Sequence, residues 1–140
     1  MARIPLTSDP EEPTQPPEVT GEGIWLNGIG EDGLETFVLT CDPAGDLTDW
    51  HAQEAAEQGY WWDFCKTNWR PYDLEVCAIL IRAHAHLPEG FVFESDGDWE
   101  DECWRTARDL IARVFGTDVV PVHNPMRDTG KGPPSIARRH

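Results

Sequence analysis

Residues 71–88 read Pro71-Tyr72-Asp73-Leu74-Glu75-Val76-Cys77-Ala78-Ile79-Leu80-Ile81-Arg82-Ala83-His84-Ala85-His86-Leu87-Pro88, and this stretch decides the fold. Pro71 suits the first turn of a helix, where an N–H would have no intrahelical partner, and Pro88 stops the helix after Leu87. Leu74, Val76, Cys77, Ala78, Leu80, Ile81 and Ala85 wrap most of the circumference, which predicts a central helix covered by other elements. The run from Leu74 to Leu87 is too short to span a bilayer and carries Glu75, Arg82, His84 and His86.

Working outward toward the C-terminus, Phe91-Val92-Phe93 reads as a short strand. Ser95 or Asp96 is placed to cap a second helix from about Asp98 to Phe115, with Gly116 at its end. Trp99, Cys103, Ala107, Leu110, Ile111, Val114 and Phe115 recur at helical spacing. The expectation is that Trp99, Cys103, Leu110, Ile111 and Val114 are buried, with the arginines outside. Asp98, Glu100, Asp101 and Glu102 precede Arg105, Arg108 and Arg113, the order that the helix dipole favours. Asp118 to Val122 is a candidate edge strand. Toward the N-terminus, Tyr60 to Cys65 is aromatic and either extended or a short helical turn, and Thr48 to Gln58 is a short helix that Gly59 ends. Gly23 to Thr40 is a hairpin, in which Ile24 and Leu26 alternate with Trp25 and Asn27. Gly28-Ile29-Gly30-Glu31-Asp32-Gly33 supplies its turn.

Together these elements predict an α+β fold. A β-hairpin plus one or two further short strands forms a small, mainly antiparallel sheet, packed on two long helices and one short helix. The strand at 91–93 is expected beside the hairpin. Residues 1–20 read as a Pro-rich acidic N-terminal tail, 21–120 as a single acidic domain, and 121–140 as a Pro-rich basic C-terminal tail; both tails are expected to be disordered. The 140 residues contain 26 Asp and Glu against 11 Lys and Arg, a net charge of -15. Such a field repels phosphate, so direct nucleic-acid binding is not expected, and neither is binding to an anionic membrane. No apolar segment of the signal-peptide kind follows Met1, so a cytoplasmic location is expected, with Cys41, Cys65, Cys77 and Cys103 as reduced thiols.

Candidate chemistry is sparse. Asp96, Asp98 and Glu100 imitate a calcium loop, but Asp101 stands where that loop needs Gly and Ala107 where it needs Glu. The helix dipole already accounts for this acidic cluster. For zinc, Cys41, His51, Cys65, Cys77, His84 and His86 are numerous enough, but no Cys-x-x-Cys pair occurs. Cys77 and Cys103 read as small buried apolar residues. Asp63-Phe64-Cys65-Lys66 has one residue too many for the acid-x-Lys pair of a nuclease metal site. The Gly28–Gly33 turn mimics a dinucleotide fingerprint, yet it joins two strands and leads into no helix. No Gly-x-Ser-x-Gly elbow and no phosphate-binding Gly-rich Walker loop occurs. No catalytic residue, cofactor or metal is therefore expected.

One loop holds more promise. Lys66 and Arg70 are the only Lys or Arg between Arg3 and Arg82, and they precede a helix N-terminus, a place where anions bind. Lys66, Thr67, Trp69, Arg70 and Asp73, with Ser95 and Asp96 from the later turn, form the candidate ligand- or partner-binding set.

Lys66-Thr67, then Pro71-Tyr72-Asp73 opening an apolar helix, then Ser95-Asp96-Gly97 before a Trp-containing helix form a pattern. In it the chain resembles a group of small uncharacterised proteins of actinobacteria and their phages, over roughly residues 60–116. The resemblance implies a phage or mobile-element origin and brings no activity with it. The functional expectation is a non-enzymatic accessory protein that binds another protein through its acidic, Trp-rich core, suited to a basic partner, and its flexible tails. Two alternatives stand beside it. One is a small-anion or nucleotide-type ligand binder or enzyme using the Lys66–Asp73 loop, and the other is a virion or assembly component.

Overall fold

The computed structural model describes residues 4–40, 53, 57, 63–126 and 137–139. Its first sheet is built on β3 (Gly23–Gly28), which pairs antiparallel with β4 (Phe37–Thr40), Leu26 opposite Phe37 and Ile24 opposite Leu39. This is the expected hairpin. Two short strands join it: β1 (Leu6–Thr7) pairs with Gly28 and Asn27, and β2 (Glu18–Val19) with Trp25 and Ile24. The stretch at 1–20 therefore departs from a featureless tail. Thr7 is fully buried, and its hydroxyl lies 2.8 Å from the Asp9 carbonyl and 3.1 Å from that of Glu12. The proline spacing concealed strands of only two residues each.

The hairpin connection is held by Asn27. This residue is fully buried; its Nδ2 donates to the Leu34 carbonyl and the Thr36 hydroxyl, both at 3.0 Å. Its Oδ1 accepts from the Gly28 N–H at 2.8 Å and the Leu34 N–H at 3.0 Å. All four hydrogen-bonding positions of the amide are used. Gly28 is required because a Cβ there would collide with the Asp32 carbonyl.

The two long helices are α1 (Asp73–His86) and α2 (Glu102–Phe115). As expected, α1 is the more covered, burying Asp73, Val76, Cys77, Leu80 and Ile81. The second helix differs from expectation. It starts at Glu102 rather than Asp98, because the turn before it uses its own side chains. Ser95 Oγ accepts from the Gly97 N–H, and Asp101 Oδ2 accepts from the Asp98 N–H. Local bonds of this kind compete with helix formation. The buried stripe of α2 is consequently Trp104, Ala107 and Ile111, with Trp99 packed just ahead of it. Cys103 and Leu110 are half-buried, while Val114 and Phe115 are 61% and 55% exposed. Of the arginines, Arg105 and Arg113 are exposed. Arg108 lies over the Trp99 ring at 4.3 Å and donates to the Trp99 carbonyl at 2.7 Å. Phe93 stacks on Trp104 at 5.5 Å, joining the strand layer to α2.

The second difference is in the strands. The expected strand at 91–93 lies at β6 (Phe93–Ser95) and does not join the hairpin. It belongs to a separate parallel sheet in which β7 (Ala137–Arg139) lies between β5 (Asp63–Cys65) and β6. Parallel neighbours need a crossover, and α1 supplies it between β5 and β6, α2 between β6 and β7. Nothing in Ala137-Arg138-Arg139 advertises a strand, since its pairing uses backbone groups and not an apolar pattern. In place of the edge strand expected at 118–122, Thr117–Val119 forms a single 3-10 turn. Of the short helix expected at 48–58, most lies outside the described residues; Gln53 and Glu57 are helical, with Gln53 Nε2 3.3 Å from Glu57 Oε1. No helix among the described residues is long and apolar enough to cross a membrane.

Candidate functional site

The loop between β5 and α1 is fixed from two sides. Glu35, just before β4, grips it. The Glu35 carbonyl accepts from Tyr72 Oη at 2.6 Å and faces Cys65 Sγ at 3.5 Å; its carboxylate accepts from the Lys66 N–H at 2.6 Å. Burial, aided by the neighbouring Cys65, pushes the Tyr72 phenol far above its usual range and keeps it a proton donor. Sequence reading passed over Glu35 because its contacts lie thirty or more positions away.

Between these anchors the chain turns tightly. The Arg70 N–H donates to the Thr67 carbonyl at 3.0 Å, and the two central residues, Asn68 and Trp69, have φ of 48° and 55°. Left-handed backbone is routine for Asn and uncommon for a residue as bulky as Trp. The turn leaves Trp69 63% exposed. Arg70 Nε is buried without a hydrogen-bond partner among the described residues, and so is Glu75 Oε2. Desolvation pushes the Glu75 carboxyl up to about 6, against a backbone hydrogen bond that lowers it and with the nearby Asp73 adding to the rise.

Of the expected site residues, Thr67 and Asp73 meet directly. The Thr67 hydroxyl donates to Asp73 Oδ1 at 2.6 Å, with both residues buried. Lys66 and Asp96 lie just past the ends of β5 and β6. Cys65 and Ser95 are both in register with Arg139, so the two segments share one edge of the parallel sheet, with β7 between them. Two strand spacings put them about 10 Å apart. Lys66, Asp96 and the displayed Trp69 are exposed, and Ser95 and Arg70 are half-buried.

Asp73 has a second neighbour on its own helix. Cys77 Sγ lies 3.6 Å from Asp73 Oδ2, and Cys103, in the first turn of α2, completes a group whose donor atoms all lie within 4.8 Å of one another. The spacing of Asp73 and Cys77, four apart at a helix start, is a same-face signal visible in sequence. The third member comes from another helix and carries no such signal. Comparison with protein-family models, curated proteins and solved structures returned no match.

Proposed function

We propose that this chain is an accessory protein that binds another protein, and that its partner is basic. The observation that carries the reading is Trp69, an aromatic side chain held out to solvent by a turn whose backbone disfavours it. Strained, exposed positions of this kind are typical of recognition sites, and Trp is the most frequent anchor at protein interfaces. At the same edge of the parallel sheet, the turn after β6 exposes Asp96, Asp98, Glu100, Asp101 and Glu102. An aromatic anchor beside an acidic arc suits a basic surface with an apolar pocket, and the net charge of -15 would steer its approach. The test places a photo-crosslinking residue at position 66, in the same exposed loop with Trp69 intact, in the full chain in cells of the organism that encodes it. A discrete adduct is expected, lost when Asp98, Glu100 and Glu102 are changed together to Lys. Labelling no stronger than from position 122, where Val122 is 90% exposed, overturns the reading.

A second reading is favoured by one observation, the buried Arg70 Nε close to the start of α1. Helix starts at the C-terminal edge of parallel strands are where α/β proteins hold anionic ligands. A rise in thermal midpoint with inorganic phosphate or ADP, abolished by Arg70→Ala, supports it. No shift at millimolar ligand ends it.

A further inference from the structure

The geometry points to a thiophilic divalent-cation site, of the zinc class, formed by Asp73, Cys77 and Cys103 between the starts of the two long helices. Four residues separate Asp73 from Cys77, so both lie on one face of α1. Cys103 comes from α2, and the three donor atoms lie within 4.8 Å of one another. Zinc binds sulfur at about 2.3 Å and carboxylate oxygen at about 2.0–2.2 Å, which sets tetrahedral ligand atoms roughly 3.5–3.8 Å apart. The Asp73 Oδ2 to Cys77 Sγ separation of 3.6 Å already has that value. The remaining separations need to contract by about 1.3 Å at most, within reach of small side-chain rotations.

Two further features suit a metal. The carboxylate is oriented: Oδ1 accepts from the fully buried Thr67 hydroxyl at 2.6 Å, and Oδ2 lies 3.6 Å from Cys77 Sγ. Outer hydrogen bonds of this kind fix ligating carboxylates in metal sites. Access is also provided, because Cys77 is fully buried and Asp73 nearly so, whereas Cys103 is half-exposed. An ion would enter from the Cys103 side, where water takes the fourth position, as in sites with three protein ligands and one exchangeable one. Two thiolates select zinc over magnesium or calcium. Binding exchanges the two thiol protons for the cation, so affinity rises with pH. The site is independent of the partner-binding reading.

The experiment uses the full chain, reduced and stripped of metal, titrated with Zn2+ and, for spectroscopy, Co2+. One equivalent is expected to bind and to raise the thermal midpoint. The Co2+ form should show thiolate-to-metal charge-transfer absorption and tetrahedral ligand-field bands. Cys103→Ser, at a half-exposed position, should remove about half of the charge-transfer intensity. Thr67→Val should keep that absorption and weaken binding by about 10- to 100-fold, the usual effect of losing an outer hydrogen bond. Cys65→Ser, whose thiol faces the Glu35 carbonyl, should change neither. Absence of stoichiometric binding, Co2+ bound without thiolate absorption, or absorption undiminished by Cys103→Ser overturns the proposal.

Discussion

Asn27 and Asp73 are both polar, both buried, and held in contrasting ways. The hydrogen bonds of the Asn27 side chain close within nine residues, on the backbone and one hydroxyl of its own hairpin. Asp73 is met by Thr67 from the preceding loop and Cys77 from the next helical turn, with Cys103 close by from α2. The first is a neutral amide saturated by local structure, a device for fixing a turn. The second gathers an ionisable carboxylate and two thiols from separate elements, which is how ligand sites are built. Both residues are hydrogen-bonded by near neighbours; what sets Asp73 apart is the ionisable company it keeps, with Cys103 brought to it from another helix.

The contrast can be attacked at the support of the assembled side. Trp104 is fully buried against Phe93 and Trp99, next to Cys103. Trp104→Ala should lower stability by about 3–5 kcal/mol in urea unfolding, whereas Leu110→Ala, at a half-buried position, should lose only about 1 kcal/mol. Equal losses would return the buried stripe to the one that spacing alone suggests. Next in size is Asn27→Ala, which strands the Gly28 and Leu34 N–H groups and should lose about 2–4 kcal/mol by the same measurement. A loss below 1 kcal/mol would mean that the hairpin does not depend on this side chain.

Tyr72 links the two regions through its bond to the Glu35 carbonyl. Tyr72→Phe should lower stability by about 1 kcal/mol, with the metal affinity of the Asp73 group intact. Of similar size is the effect of Glu75. Its folded pKa, about 6, stands above the ordinary value of 4.5. The folded state therefore holds this proton more tightly than the unfolded chain does. The stability it contributes is complete below about pH 4.5 and is lost as pH rises through 6. In metal-free protein, Glu75→Gln should flatten this slope and raise stability at pH 7 by about 1 kcal/mol, solvent screening having reduced the full value. Urea unfolding between pH 4 and 8 checks it; an unchanged slope would show that Glu75 is well solvated.

What could be read from the sequence follows the same division. The hairpin, the span of α1 and the existence of α2 rest on contacts within a few turns of chain, and periodicity and turn residues report those. The start of α2 was misplaced because acids at 98–101 suit a helix start and a turn equally well, and here the Asp98 N–H went to the Asp101 side chain. That shift of one turn moved the buried stripe onto Trp104 and left Val114 outside. Extended chain is legible near β5 and β6, but the parallel arrangement is not, because the strand that joins them, β7, carries two arginines and no apolar pattern. At the candidate site, Thr67 and Asp73 were singled out by their place before a helix. Cys77 and Cys103 looked apolar, since burial of a thiol reads the same whether it packs or ligates.

The position of β7 between β5 and β6 has a consequence for the order of events during synthesis. Its first residue follows Phe93 by 44 positions (137 against 93) and Asp63 by 74 (137 against 63). Until residues 137–139 are made, neither β5 nor β6 can form the pairing it has in this sheet. Closing such long loops is slow, and bare edges recruit strands from other molecules in the meantime. Crowded polysomes would then be the hazard for this fold, and a nascent chain stalled before residue 137 its most adhesive form.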